Sequence, residues 1–179
     1  MASTATMTGA QFDALPYEEG RRWELIEGEL VEVGSPTLDH QFIVQRLQFA
    51  LMRFFAQRPC GFVASDVEFA LSETTRVRPD VLVVLGERAA KLDRSRVPVL
   101  GSPDIGVEVI SPSERTSESM RKVETYLRHG VREVWQVFPN LRQVVVYTPR
   151  ESRRLGAGET FSTVLLPEFA IPVSSLFED

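Results

Sequence analysis

Residues 105–110, with the sequence IGVEVI, place a glutamate in the middle of an otherwise apolar segment. The β-branched residues predict a buried strand in which Glu108 shares a face with Gly106, and the missing side chain at Gly106 leaves room beside the carboxylate. An unpaired carboxylate in a protein interior costs several kcal/mol, so a buried glutamate needs a partner. Any fold that this chain adopts must therefore bring a counter-charge to this strand.

Length and composition predict one folded domain covering residues 1–179. A chain of 179 residues with 43% hydrophobic and 25% charged residues is typical of globular proteins that bury a core without disulfide bonds. It has no apolar run long enough to cross a membrane, and its first residues lack the pattern of a secretory signal. A single cysteine, Cys60, excludes an internal disulfide and a cysteine-only zinc site. We therefore expect a cytoplasmic protein.

The formal net charge of −5 excludes a polycationic chain, so any contact with nucleic acid needs a local basic surface. Arginine supplies nearly all of the positive charge, and the only lysines are Lys91 and Lys122. Each lysine is therefore a candidate for a specific role.

The spacing of apolar residues predicts an α/β fold with a mixed sheet. The predicted helices cover residues 9–15, from a capping box of Thr8 and Gln11, then 35–55, and 117–129, ending at Gly130. The predicted strands are a hairpin at 23–33 that turns at Glu27 and Gly28, followed by 62–71, 79–85, 104–110, 132–138, 142–148 and 160–166. Residues 72–76 are predicted to be a turn, and 86–103 and 149–158 to be loops.

A second carboxylate, Asp80, follows Pro79 at the start of another apolar strand. If that strand lies beside the one that contains Glu108, the two carboxylates converge. Two close carboxylates repel, and one takes up a proton unless a cation lies between them. Ligation by oxygen alone suits Mg²⁺ and Mn²⁺. We therefore predict a divalent metal ion held by Asp80 and Glu108.

Each of these acidic residues also has a purely structural interpretation. Asp80 can cap the turn before its strand, and Glu108 can pair with a buried arginine such as Arg78. Glu24 lies in the first hairpin, where it either faces solvent or supports the metal site. His40, near the start of the long helix, is either a surface residue or part of a cleft.

Lys122 is open to two interpretations. Glu118 precedes it by four residues, the favourable orientation for a surface ion pair worth about 0.2–0.5 kcal/mol. Lys122 also flanks the buried stripe of its helix beside Tyr126, a position from which an ammonium can reach over the edge of a cleft.

Taken together, these motifs resemble the PD-(D/E)XK nucleases and, more narrowly, the Uma family, described as putative restriction endonucleases. The resemblance extends over nearly the whole chain and is carried by the segments WELIEGEL at 23–30, Ser35-Pro36 with His40, RPDV at 78–81, VEVISPS at 107–113, Lys122 with Tyr126, and GVREVW at 130–135. Three positions depart from the family pattern. Ile110 stands where the wider superfamily has its lysine, Phe138 where the family often has aspartate, and Glu118 where aspartate is favoured.

The resemblance implies a restriction-endonuclease-like mixed β-sheet flanked by helices. It further implies that Asp80 and Glu108 bind Mg²⁺, with Mn²⁺ as a substitute, and that Lys122 replaces the lysine missing at position 110. Glu24 and His40 are then supporting residues.

The implied activity is a metal-dependent endonuclease that hydrolyses phosphodiester bonds, with DNA favoured over RNA, no membrane partner and a homodimer as a possible assembly. Arg76 and Arg78 are candidate phosphate contacts. Two other functions remain open: a nuclease-fold domain that binds nucleic acid or another partner without cleavage, and a metal-dependent phosphoesterase acting on small nucleotides.

Overall fold

The structure is a computed structural model that describes residues 6–112 and 114–178. Ser113, the last residue of the Ser-Pro-Ser segment, lies outside the described residues. The helices are α1 (Gly9–Asp13), α2 (Leu38–Gln57), α3 (Gly86–Lys91) and α4 (Thr116–Arg128), and short 3-10 turns cover Pro139–Leu141 and Val173–Leu176. The strands are β1 (Arg22–Ile26), β2 (Glu29–Val33), β3 (Gly61–Ala64), β4 (Phe69–Ser72), β5 (Thr75–Val77), β6 (Val81–Leu85), β7 (Val99–Leu100), β8 (Ile105–Val109), β9 (Glu133–Phe138), β10 (Gln143–Tyr147), β11 (Ser152–Gly156), β12 (Thr160–Ser162) and β13 (Ala170–Pro172).

The largest sheet has the strand order β11-β10-β9-β8-β6-β3. Its central pair, β8 and β9, is parallel, and the other neighbours in this sheet are antiparallel. A second sheet has the order β2-β1-β5-β4-β7, and β12 pairs with β13. Among the helices of the described residues, none combines the length and the hydrophobicity that crossing a membrane requires.

Each face of the large sheet carries its own hydrophobic core. On one face, α2 packs through Leu47 and Leu51 against strand residues such as Val107 and the fully buried Trp135. On the other face, Val123 and Tyr126 of α4 pack against the large sheet together with residues of the second sheet. The strands between these layers are therefore apolar on both faces, as the composition of β6 and β8 predicts.

The connection from β8 to β9 places α4 over the sheet. Parallel neighbouring strands cannot be joined by a tight turn, so the chain crosses over through a helix. Gly130 has φ +86° just beyond the end of α4, a conformation that glycine adopts without steric cost, and the chain then turns back into β9. As a result, α4 lies above β8 and faces Glu108.

Several predicted elements are confirmed. The Thr8 and Gln11 capping box starts α1, and Glu27 and Gly28 form the hairpin turn with positive φ angles of 52° and 82°. The strand predicted at 104–110 and the helix at 117–129 correspond to β8 and α4. The long helix begins at Leu38 rather than at residue 35, because the Thr37 hydroxyl accepts a hydrogen bond from the His40 amide and caps it.

Other predictions are wrong, and all of them concern short elements. Residues 62–71 form β3 and β4, which belong to different sheets and are separated at Asp66, where φ is +56°. The predicted turn at 72–76 includes the start of β5, and the predicted loop at 86–103 contains α3 and β7. The predicted loop at 149–158 contains β11, which pairs with β10, and the strand predicted at 160–166 ends at Ser162. Strands of two to five residues exist here because a neighbouring strand supplies their hydrogen bonds.

Glu133, at the start of β9, is a buried carboxylate held by neutral donors. Its carboxylate accepts hydrogen bonds from Trp135 Nε1 at 2.8 Å and from the Thr163 hydroxyl at 2.7 Å. Since Thr163 lies just after β12, this interaction ties the C-terminal segment to the large sheet.

Replacing Thr163 tests that attachment. Thr163→Val keeps the shape of the side chain but leaves the buried carboxylate short of a donor, so we expect the free energy of unfolding to fall by about 1–3 kcal/mol. Urea denaturation measures the loss. Thr160→Val, at an exposed position of β12, is the matched control and should change stability by less than about 0.5 kcal/mol. Equal effects of the two substitutions would contradict this role of Thr163.

Candidate active site

Asp80 and Glu108 lie on adjacent strands of the large sheet. Strands β6 and β8 are antiparallel neighbours, with Val81 opposite Val107. Continuing this register by one residue sets Asp80 opposite Glu108. Asp80 immediately precedes β6, and Glu108 lies within β8. The condition that the sequence left open, that the two strands are neighbours, is therefore met.

The Asp80 carboxylate is oriented by two donors that share one oxygen. Its Oδ2 accepts a hydrogen bond from the Val109 amide at 2.7 Å and lies 3.1 Å from His40 Nε2. His40 sits in the first turn of α2, and its buried Nδ1 has no hydrogen-bond partner among the described residues. With a hydrogen on Nε2, His40 donates it to Asp80.

Glu108 is paired with two side chains of α4. Lys122 Nζ lies 2.9 Å from Glu108 Oε2, and the Tyr126 hydroxyl donates to Oε1 at 2.6 Å. Residues four apart lie on the same side of a helix, so one face of α4 supplies both donors. Only 8% of Glu108 is exposed. The ammonium of Lys122 thus provides the counter-charge that a glutamate in this strand requires.

Glu24 completes the surroundings of the lysine. Its Oε2 lies 2.9 Å from Lys122 Nζ, and its Oε1 accepts a hydrogen bond from the Arg78 amide at 2.7 Å. Glu24 is 3% exposed, so the interpretation that it faces solvent is wrong. Lys122 therefore connects β1 of the second sheet with β8 of the large sheet.

Two other structural interpretations are also wrong. Lys122 pairs with Glu24 and Glu108, whereas Glu118 lies 4.0 Å from Arg115. The guanidinium of Arg78 pairs with Glu68 at 3.1 Å and not with Glu108.

The balance of charge in the site changes the protonation of its members. Burial raises the pKa of Glu108 to about 8, and Asp80 and Glu24 add to this effect against the opposing influence of Lys122 and the Tyr126 hydrogen bond. Burial alone would lower the pKa of Lys122, but Glu108 and Glu24 outweigh it and raise that pKa above its usual value. Lys122 therefore stays charged, and Glu108 holds a proton more tightly than an exposed glutamate does. With all three carboxylates ionised, the site would carry two negative charges in excess of its lysine.

Sequence reasoning missed two residues of the site. Tyr126 was predicted as part of the buried stripe of its helix, and its hydrogen bond to Glu108 could have been suspected from its position four residues after Lys122. Glu114 is half-buried in the same cleft, where burial, with Asp80 and Glu24, raises its pKa against the influence of Lys122. No sequence pattern pointed to Glu114, because it lies in the irregular segment between β8 and α4.

The site opens into a cleft of about 810 Å³. Its lining includes ten carboxylate side chains and only five arginine or lysine side chains. The cleft arginines are themselves paired with acidic residues: Arg21 with Glu18 and Glu32, Arg22 with Asp66, Arg78 with Asp66 and Glu68, and Arg121 with Glu29. The side chains that line this cleft therefore carry an excess of negative charge.

The two predicted phosphate contacts lie in different environments. Arg78 lines the cleft, and 36% of its side chain is exposed. Arg76 is 11% exposed, donates to the Ser72 carbonyl at 2.7 Å and lies 3.6 Å from Asp13. These contacts engage Arg76 in holding α1 against the second sheet.

The residues present fit a divalent cation by their chemistry. Asp80 and Glu108 offer oxygen ligands, and the excess of two negative charges matches the charge of Mg²⁺ or Mn²⁺. Within residues 6–112 and 114–178, no group of three or more His, Cys, Asp or Glu side chains is already arranged around a metal position. The ammonium of Lys122 lies within 2.9 Å of both Glu24 and Glu108.

The raised pKa of Glu108 predicts how the stability of the metal-free protein depends on pH. The folded protein keeps a proton on Glu108 that the unfolded chain releases above its ordinary pKa of 4.5, so stability present at lower pH is lost as the pH rises toward about 8. Glu108→Gln cannot ionise, and its free energy of unfolding should therefore rise relative to wild type across this window, by at most ~1.4 kcal/mol per pH unit. Urea denaturation at several pH values measures the difference.

Glu118→Gln is the matched control for this experiment. Glu118 is exposed on the same part of the molecule, so its substitution should leave the pH dependence unchanged. A difference between wild type and Glu108→Gln that does not vary with pH would mean that Glu108 is ionised throughout.

The comparisons with known proteins agree with this architecture. A solved structure, a putative nuclease belonging to DUF820 from Anabaena variabilis, superposes with a TM-score of 0.82 at 19% sequence identity, covering 96% of this chain and 97% of that chain. This similarity confirms the predicted fold class of a mixed sheet flanked by helices. A comparison with curated proteins found no similar sequence. The model of the Uma2 family, described as putative restriction endonuclease, matches residues 10–174. The chain therefore belongs to the Uma2 family.

Proposed function

We propose that this protein is a metal-dependent nuclease that hydrolyses phosphodiester bonds of nucleic acid, with DNA as the favoured substrate. The observation that carries the proposal is the position of Lys122. Ile110 occupies the place where the wider superfamily has its lysine, but helix α4 brings the ammonium of Lys122 to within 2.9 Å of Glu108. Carboxylates with an ammonium beside them are the residue types that metal-dependent hydrolysis of a phosphodiester uses.

Asp80 and Glu108 are the proposed ligands of Mg²⁺, with Mn²⁺ as a substitute. A bound ion of this kind lowers the pKa of its water and neutralises the charge that develops on a phosphate oxygen. The protein contributes orientation: the Val109 amide and His40 hold one oxygen of Asp80, and Tyr126 holds one oxygen of Glu108. Preorganised ligands of this kind cost little rearrangement when charge develops.

Lys122 is the proposed catalytic residue. Its pKa is raised, so it remains an ammonium through the physiological range and can orient the attacking water or stabilise negative charge on the phosphate. Glu24 acts as a positioning residue, because its carboxylate also contacts the lysine ammonium and is itself fixed by the Arg78 amide.

The charge of the cleft favours this function over binding without cleavage. A domain that binds nucleic acid through its own side chains presents an excess of basic groups. Here the carboxylates outnumber the basic groups two to one, so a polyanion would bind together with divalent cations. Once the carboxylates are engaged by cations, Arg78, which lines the cleft, is the proposed phosphate contact.

Cleavage assays test the proposal directly. Supercoiled plasmid and single-stranded DNA should be cut in the presence of Mn²⁺ or Mg²⁺ and left intact with a chelator. Lys122→Ala should lower the rate by a factor on the order of 10² to 10³, the range seen when one preorganised donor is removed. Lys91→Ala is the matched control, since Lys91 is exposed, pairs with the exposed Glu87, and should cut like wild type.

Stability must be followed in parallel, because Lys122→Ala leaves two buried carboxylates without their counter-charge. Lys122→Arg keeps the positive charge but replaces a compact ammonium with a planar group, so it should fold and still cut poorly. Wild-type rates in a folded Lys122 variant would limit this lysine to a structural role. Failure of the wild-type protein to cut any nucleic acid with either ion would favour the non-cleaving domain.

The proposed ligands make a separate prediction about metal binding. Asp80→Asn should weaken Mn²⁺ binding by at least about tenfold, since even residues outside the ligand shell of a metal contribute 10- to 100-fold to affinity. It should also remove the rise in melting temperature that Mn²⁺ gives to the wild-type protein. Calorimetric titration and thermal melts measure both effects.

The matched control for this experiment is Asp66→Asn. Asp66 is a carboxylate of the same cleft that pairs with Arg22, and its positive φ of 56° is tolerated by asparagine. Equal losses of affinity in the two variants would mean that Mn²⁺ responds to the general charge of the cleft rather than to Asp80.

A further inference from the structure

Helix α2 carries an apolar stripe on the side that faces away from its core contacts. Large side chains on this side are 40–68% exposed, although the helix buries Leu47 and Leu51 completely on the other side. We call this surface the α2 stripe, and it consists of Leu38, Phe42, Gln45, Phe49, Met52 and Ala56. Scattered apolar residues on a surface are ordinary, but four large ones in line on one helix mark an interaction surface.

The spacing of the α2 stripe is that of a coiled coil. Successive members are separated alternately by four and three residues, which is the a/d pattern of a heptad repeat. The pattern continues along the whole of α2, whose 20 residues span about 30 Å. In coiled coils, a seam of this kind packs against a second helix. Within the described part of the chain, no helix covers the α2 stripe.

The α2 stripe is also symmetric about its midpoint at residue 47. Leu38 and Ala56 are equally far from that point, as are Phe42 and Met52, and likewise Gln45 and Phe49. If a second copy of α2 packs antiparallel, with the twofold axis beside residue 47, each residue of a pair in one copy contacts the other residue of that pair in the second copy. In the outermost pair, Leu38 of one copy then faces the smaller Ala56 of the other. This surface is therefore complementary to itself, which is what a twofold interface between identical chains requires.

The charges beside the stripe support the same arrangement. Asp39, Arg46 and Arg53 follow one flank at intervals of seven residues. In an antiparallel helix pair the same flanks of the two helices face each other, so the exposed Asp39 of one copy approaches the exposed Arg53 of the other. Arg46, which would lie near the twofold axis, is directed back toward its own chain and donates to the Leu176 carbonyl at 3.2 Å. Two favourable ion pairs result, one on each side of the axis.

We propose that two copies of this chain dimerise through antiparallel pairing of their α2 stripes. A contact made by one helix face buries less than the roughly 800 Å² per partner of a standard interface, so the dimer should dissociate on dilution. The inference rests on the surface of α2 and does not depend on the proposed nuclease activity.

Sedimentation of the full-length protein over a range of concentrations tests the interface. Wild type should pass from monomer to dimer as the concentration rises, and Phe49→Lys should raise the dissociation constant by at least about 100-fold, because Phe49 lies near the centre of the seam. Val164→Lys is the control, since Val164 is 87% exposed outside α2 and should leave dimerisation unchanged. Circular dichroism checks that both variants remain folded. A protein that stays monomeric throughout, or a Phe49→Lys variant that dimerises like wild type, would overturn the proposal.

A charge exchange tests the antiparallel arrangement. Asp39→Arg alone should weaken the dimer by roughly tenfold, since two attractive pairs become repulsive. Arg53→Asp alone should do the same, and the double variant should recover most of the wild-type affinity. Recovery is not expected if the helices are parallel or if another surface forms the dimer, so failure of the double variant to recover would also overturn the proposal.

Discussion

The ion pair of Lys122 with Glu24 and Glu108 is the interaction on which the arrangement of the site depends. It joins β1 of the second sheet, β8 of the large sheet and α4, three elements that are far apart in the sequence. Buried ion pairs often add little net stability, because desolvation offsets their attraction, but removing one partner leaves a costly uncompensated charge. Losing any of the three side chains would therefore disturb the packing of α4 against the two sheets.

The excess of carboxylates over basic groups is the second determinant of the site. One ammonium cannot neutralise Glu24, Asp80 and Glu108 together, and the two neighbouring carboxylates add to burial, the main cause, in raising the pKa of Glu108. The same excess extends through the cleft, where the arginines are already paired with acidic side chains. This composition is compatible with the proposed reaction, in which divalent cations and a polyanionic substrate bind together.

Local sequence rules and long-range contacts disagree in informative places. The i,i+4 rule favoured a surface pair between Glu118 and Lys122, yet the lysine pairs with Glu24 and Glu108, because a buried carboxylate has more to gain from an ammonium than an exposed one. Residues 62–71 had the composition of one strand, but a left-handed residue at Asp66 divides them between two sheets. Strands such as β7 and β11 could not be recognised, since two to five residues carry little pattern and their pairing partners supply the stability.

The sequence by itself determined the elements whose patterns are local and strong: the capped α1, the hairpin at Glu27 and Gly28, the amphipathic helices, and a buried strand that required a partner for Glu108. It also carried the family motifs, which lie in contiguous segments. The tertiary structure decided which side chain became that partner, because the parallel crossover from β8 to β9 is what lays α4 over the glutamate. The tertiary structure also placed Glu24 and Glu114 in the site. The spacing of residues along a sequence does not indicate which residues of separate sheets and loops lie near one ammonium.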